Sequence, residues 1–265
     1  MTVDLTLTDL TAPGSGDPRD LVVLGPSLGT AVGPLWSACA ALLGPRYRVL
    51  GWDLPGHGRS APVDTAFTVA DLAEAVLVVV RPELDALGPG ARLLCAGVSL
   101  GGAVALQLAL ADAGVAMVAV VCSGARIGEP ADWHARAELV RQAGTPAVLA
   151  ASVSRWFAPG FLDRDPQTGT ALLWSLQEAD RFSYARCCEA LAGHDLRGEL
   201  SALAVPLLAV AGSEDAVTPP ALAEELAAAV RSGRSAVVPG VAHLAPAEAP
   251  DLVAALLRDA FTGGV

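Results

Sequence analysis

The run Arg92-Leu93-Leu94-Cys95-Ala96-Gly97-Val98-Ser99-Leu100-Gly101-Gly102-Ala103 decides the fold class. Its apolar segment 93–96 reads as a buried strand, and 100–113 as a small-residue helix directly after it. Between the two stands Gly-x-Ser-x-Gly. A serine on so sharp a strand-to-helix turn sits in a strained conformation. The turn crowds the positions two before and two after it, where only small residues fit. The helix that follows aims N–H groups at the serine and favours negative charge developing there. Ser99 is therefore the candidate nucleophile; the bland alternative is a helix start rich in small residues.

Working outward, 21–25, 47–52, 115–122, 207–211 and 235–238 read as further strands, and 3–7 as a half-exposed strand of period two. Residues 13–18 read as a turn-rich break, and 69–87, 221–230 and 251–261 as helices. Strands alternating with helices predict an α/β architecture, a mostly parallel central sheet flanked by helices. From 124 to 203 no strand is evident, yet this stretch holds three of the five Trp and eight of the 17 Arg residues. It reads as a helical cap inserted between the sixth and seventh strands. The chain then divides into a core of 1–123 and 204–265 and a cap of 124–203.

Composition narrows the function. With 265 residues, 53% hydrophobic and 17% charged, the chain can bury a large core without metal or disulfide staples. A formal charge of −11 with no basic face argues against nucleic acid as a partner. All 17 basic residues are Arg, so Schiff-base chemistry through Lys is excluded. Five Cys at irregular spacing match neither a disulfide framework nor a zinc site, and Cys187 and Cys188 read as helix residues. No metal and no cofactor are expected. The N-terminal residues lack a signal-peptide pattern, and no segment approaches a membrane span, so a reduced, cytoplasmic setting is expected.

A serine hydroxyl needs a base. On a sheet of this kind the acid and then the base follow the nucleophile in the chain. Of four histidines, His57 precedes Ser99 in a tight turn, and His134 and His194 lie in the presumed cap. His243 follows the last strand and is the candidate base. Asp215, on the loop after 207–211, is the candidate acid, with Glu214 as its rival; Thr218 reads as an N-cap of the next helix. Two backbone N–H groups are needed for an oxyanion. One is expected from Leu100. The other comes from the loop Gly25-Pro26-Ser27-Leu28-Gly29-Thr30, where Pro26 has no N–H; Leu28 is favoured over Ser27.

Several stretches make the chain resemble the 3-oxoadipate enol-lactonases of the α/β-hydrolase superfamily. They are Ser27-Leu28-Gly29-Thr30 with Trp36, Gly97-Val98-Ser99-Leu100-Gly101-Gly102, and Ala125-Arg126-Ile127-Gly128 with Trp133 and Ala135-Arg136. Arg155-Trp156-Phe157-Ala158-Pro159-Gly160-Phe161, Ala211-Gly212-Ser213-Glu214-Asp215 and Ala242-His243-Leu244-Ala245 complete the similarity. The resemblance implies an α/β-hydrolase fold and a Ser99, Asp215, His243 triad. It also implies a small-molecule substrate, the enol-lactone of 3-oxoadipate, opened by water in aromatic-acid catabolism. The carboxylate of that substrate needs a cationic partner, for which Arg126 and Arg155 are the candidates, with Trp133 and Trp156 lining the pocket. A general carboxylesterase, a cofactor-free haloperoxidase-like enzyme and a non-catalytic small-molecule receptor are the rival readings.

Overall fold

Two six-residue runs, Asp20–Gly25 (β2) and Leu93–Val98 (β4), are buried along their whole length. A sheet with one solvated face would not allow this; a parallel sheet covered on both faces does. The computed structural model describes residues 3–12, 14, 16 and 18–263. Its sheet adds Leu7–Asp9 (β1), Tyr47–Trp52 (β3), Val115–Val121 (β5), Leu207–Gly212 (β6) and Gly233–Val238 (β7). The strand order is β1-β3-β2-β4-β5-β6-β7, with β1 antiparallel to β3 and every other pair parallel.

Helices Val32–Ala41 (α1), Val69–Ala86 (α2) and Leu100–Leu110 (α3) connect the first parallel strands. The step from β2 to β3 runs toward one edge of the sheet, and the steps from β3 to β4 and β5 run toward the other. Right-handed crossovers therefore put α1 on one face and α2 and α3 on the opposite one. Helix α3 is apolar except for Gln107 and nine of its eleven residues are buried, as its packing against both the sheet and the neighbouring α2 requires. Five helices lie between β5 and β6: Pro130–Ala143 (α4), Leu149–Trp156 (α5), Phe161–Arg164 (α6), Pro166–Glu178 (α7) and Arg181–Ala192 (α8). Pro220–Ala229 (α9), Ala245–Glu248 (α10) and Pro250–Phe261 (α11) complete the order. Among the described residues no helix is long and apolar enough to cross a membrane.

The buried Asp20 fastens the start of β2 to its neighbours. Arg92 reaches both of its oxygens, Nε to Oδ1 at 3.2 Å and Nη2 to Oδ2 at 2.8 Å, and Arg46 Nε reaches Oδ2 at 3.3 Å. Burial alone would raise the Asp20 carboxyl, but these arginines outweigh it and hold the group below the ordinary carboxylate value.

Several expectations need correction. The helical segment follows the fifth strand of the described sheet, not the sixth: the five apolar runs read before residue 124 correspond to β1–β5, and no further strand precedes the helices among the described residues. The first strand is Leu7–Asp9 rather than 3–7. Val3 and Leu5 are buried as the alternation predicts, but Thr6 donates its N–H to Ser60 Oγ and accepts from Asp53 N–H. Those backbone groups are thus satisfied by a loop instead of a strand partner. Within the turn-rich break, Pro13, Ser15 and Asp17 lie outside the described residues. Helix α1 went unread, although its buried residues Val32, Leu35, Trp36, Cys39 and Ala40 recur at helical spacing. Gly33 and Pro34 disguise it, yet proline is tolerated in a first turn.

Candidate active site

The strand order reverses between β2 and β4, so the loops leaving their carboxyl ends open a crevice. Ser99 stands at the end of β4 with φ 53° and ψ −117°, a conformation that L-residues rarely adopt. The surroundings hold it there. Its N–H donates to the carbonyls of Val121 and Cys122, both at 3.1 Å, and its own carbonyl accepts from Ser123 Oγ at 2.7 Å. Gly101 N–H donates to Pro26 O at 2.9 Å, which ties the turn to the loop after β2. A Cβ on Gly101 would lie 2.5 Å from Gly25 C and Pro26 O, and one on Gly97 would collide with the Gly101 backbone. Glycine at both positions is therefore a steric requirement.

Asp215 and His243, brought together from the loops after β6 and β7, are both buried. His243 Nδ1 lies 2.9 Å from Asp215 Oδ2, and Thr218 Oγ1 donates to the same oxygen at 2.6 Å. The second oxygen, Oδ1, accepts the N–H groups of Val217 at 2.8 Å and Thr218 at 3.0 Å. Burial would raise this carboxyl; the charge and hydrogen bond of His243, with the bonds from Thr218, outweigh it and lower it. Thr218 is thus a partner of the carboxylate and not the N-cap of α9, which starts at Pro220 without a side-chain cap. Glu214 is exposed and accepts from Ser213 Oγ, so Asp215 is the acid that meets the imidazole.

The other histidines stand apart from this pair. His57 is buried, its Nδ1 2.8 Å from Pro55 O and its ring stacked on Tyr184. His194 is buried and His134 exposed. Burial pushes His57 and His194 down to about 4, which keeps both neutral near pH 7.

Ser99 and His243 open on one small cavity of about 30 Å³, together with Ser27 and Leu28. Ser27 N–H already donates to Thr30 Oγ1 at 3.1 Å, whereas no hydrogen bond within the described residues engages the Leu28 N–H. Leu100 is the first residue of α3, so its N–H has no intrahelical acceptor. The far wall is helical: Trp133 and Arg136 of α4, Ser152, Arg155 and Trp156 of α5, and Tyr184 of α8. A larger chamber of about 630 Å³ adjoins it and shares Trp133, Arg136, Arg155 and Val217.

Of the two predicted arginines, only Arg155 lines the cavity. Arg126 forms an ion pair with Glu129 outside it. Sequence reasoning missed Arg136, which donates to Tyr184 OH at 2.8 Å and Ser152 Oγ at 3.2 Å and has no carboxylate partner among the described residues. Its spacing was a usable signal, because Trp133 and Arg136 stand three apart on one helix face.

Residues 10–256 match the family described as the alpha/beta hydrolase family. The chain is 33% identical over 201 residues to 3-oxoadipate enol-lactonase 2 of Acinetobacter baylyi, covering 76% of this chain and 73% of that protein. It is 35% identical over 198 residues to 3-oxoadipate enol-lactonase 1 of the same organism, covering 74% and 72%. The crystal structure of the enol-lactonase from Burkholderia xenovorans superposes with a TM-score of 0.89 at 30% identity, over 97% of this chain and 96% of that one. Strand order, turn geometry and sequence likeness lead to one assignment: this chain belongs to the α/β-hydrolase family.

Proposed function

We propose that the protein is a serine hydrolase that opens a small, carboxylate-bearing enol-lactone, the enol-lactone of 3-oxoadipate. The observation that carries this reading is that strained Ser99 and His243, the latter held by Asp215, open on the same cavity. Ser99 Oγ attacks the lactone carbonyl while His243 takes its proton. The oxyanion receives the N–H groups of Leu28 and Leu100. The ring C–O bond breaks, and His243 gives its proton to the leaving enolate, which becomes the ketone and leaves the imidazole neutral again. His243 then takes a proton from water, whose oxygen attacks the acyl carbonyl and releases Ser99 and the free acid.

Arg136 supports the carboxylate in the substrate. It is a cation on the cavity wall with neutral partners only, in a chain of net charge −11. An anion that has to approach against that charge needs such a group. Arg155 at the mouth is the second candidate, and Trp133 and Trp156 supply apolar wall. Residues 124–203 act in this reading as a cap over the nucleophile. The five cysteines are free and buried, in keeping with a reduced, cytoplasmic setting.

The adjoining chamber favours a second reading, a carboxylesterase of broader range. Its lining includes Ile127, Leu139, Val148 and Ala151, which suit an apolar substituent. Turnover of the enol-lactone against p-nitrophenyl acetate and butyrate separates the two. Higher kcat/KM on the lactone, abolished in Ser99→Ala, is expected; higher kcat/KM on the simple esters favours the esterase. Absence of fluorophosphonate labelling at Ser99 would remove both and leave a binding protein.

A further inference from the structure

Glu248 closes α10, on the same short segment as His243. Its side chain is buried, and its two oxygens serve different parts of the chain. Oε1 accepts the N–H of Ala242 at 2.9 Å, and Oε2 accepts the N–H of Ala158 at 2.9 Å. Ala242 directly precedes His243. Ala158 follows Trp156, a wall of the cavity, by two residues. A further bond, from Leu244 N–H to Trp156 O at 3.3 Å, joins the same two segments on the other side of His243.

A buried carboxylate is costly to keep charged, and no cation pairs with this one among the described residues; Arg164 acts on it only through space. Burial accordingly raises its pKa, against the two N–H bonds that lower it. The two N–H groups meet different oxygens of the one side chain. A carboxylate supplies both acceptors, and an isosteric amide supplies only one.

We infer that Glu248 is a positioning residue for the reaction: by accepting from Ala242 and Ala158 together, it sets the backbone of His243 and the Trp156 wall in one fixed relation. The inference rests on His243 being the base. It extends that reading by giving the base a support on its backbone side, complementary to the grip of Asp215 on its ring.

The test compares the full-length wild type with Glu248→Gln and Glu248→Ala. Measured are the thermal midpoint, the rate at which a fluorophosphonate labels Ser99, and kcat and KM for p-nitrophenyl acetate. Labelling reports the Ser99–His243 relation without demanding substrate fit. Glu248→Gln is expected to stay folded while labelling and kcat fall about 10- to 100-fold, as a small misplacement of a reacting group costs. Its KM is expected to change by less than about threefold, and it should recover part of the rate lost in Glu248→Ala. Labelling and kcat equal to wild type in folded Glu248→Gln overturn the inference. A loss that merely tracks the folded fraction also overturns it, since the carboxylate would then serve the fold alone. Wild type that fails to label at Ser99 overturns the serine-hydrolase reading and the inference with it, an outcome visible in the wild type alone.

Discussion

His243 Nδ1 and Asp215 Oδ2 stand 2.9 Å apart, with both side chains almost wholly withdrawn from water. An acceptor-only carboxylate opposite Nδ1 requires the ring proton to sit there, which leaves Nε2 free to accept from a hydroxyl. Asp215→Asn keeps the shape but can oppose an amide N–H to the ring. It is expected to fold normally and to lose about 10⁴-fold in kcat, the size of effect that a wrong tautomer produces in such sites. Steady-state kinetics beside circular dichroism check this; a loss below about tenfold would remove Asp215 from the mechanism.

Thr218 strengthens that carboxylate through its hydroxyl at 2.6 Å and its N–H at 3.0 Å. Thr218→Val removes only the first. A hydrogen bond to a charged group contributes about 1.5–3 kcal/mol, and the surviving N–H keeps the loss near the lower end. A kcat reduced about tenfold at unchanged KM is expected. A change confined to KM would mean that Thr218 touches substrate rather than Asp215.

Arg136 and Arg126 make a matched pair, one on the cavity wall and one turned to Glu129. Arg136→Gln is expected to raise KM for the carboxylate-bearing lactone by about 10- to 100-fold, the worth of one charge-assisted contact, and to leave KM for p-nitrophenyl acetate within about threefold. Arg126→Gln is expected to leave both constants within about twofold, as surface ion pairs contribute little. Equal effects on the anionic and the neutral substrate would show that Arg136 shapes the wall without reading charge.

Gly101 allows β2 and the turn at Ser99 to touch. Gly101→Ala drives a methyl group against the Gly25 and Pro26 backbones, which have little room to yield. Overpacking of this kind costs about 1–3 kcal/mol. Urea unfolding should register that loss, and Ser99 labelling should fall in the fraction that still folds. A wild-type midpoint with wild-type labelling would mean that the loop moves aside without cost.

Asp20 gives stability a pH dependence. Its folded pKa lies below the ordinary value, so its contribution is present above the unfolded pKa of about 3.9 and is lost as pH falls through the lower folded value. Arg46 and Arg92 are partly exposed, which discounts the pair. Asp20→Asn is expected to lower unfolding stability by about 1–2 kcal/mol near pH 7, with the gap to wild type closing below about pH 4. A gap of the same size at both ends would assign the effect to hydrogen bonding of the neutral amide shape rather than to charge.

Much of this site is legible in the chain because its parts are local. The turn at Ser99 needs glycine at Gly97 to clear the Gly101 backbone, a demand within the turn itself, and Gly101 has in addition to clear Gly25 and Pro26. His243 and Asp215 follow strand ends that apolar runs mark out. Where the reading failed, the deciding contact lay far away in sequence. Residues 3–7 alternate like a strand, but the backbone of Thr6 bonds Ser60 Oγ and Asp53 N–H, and only Leu7–Asp9 joins the sheet. Thr218 has the composition of an N-cap and is claimed by a carboxylate instead.

The arginines mark the boundary most clearly. The sequence by itself determined that a parallel sheet carries a strained serine, with an acid and a histidine after it, because steric demands and hydrophobic period act between near neighbours. Only the tertiary structure decided that Arg136 and not Arg126 lines the cavity with Ser99, and that Glu248 accepts from both Ala242 and Ala158. An arginine or a glutamate is chemically the same residue wherever it stands, and packing alone selects which distant groups it meets.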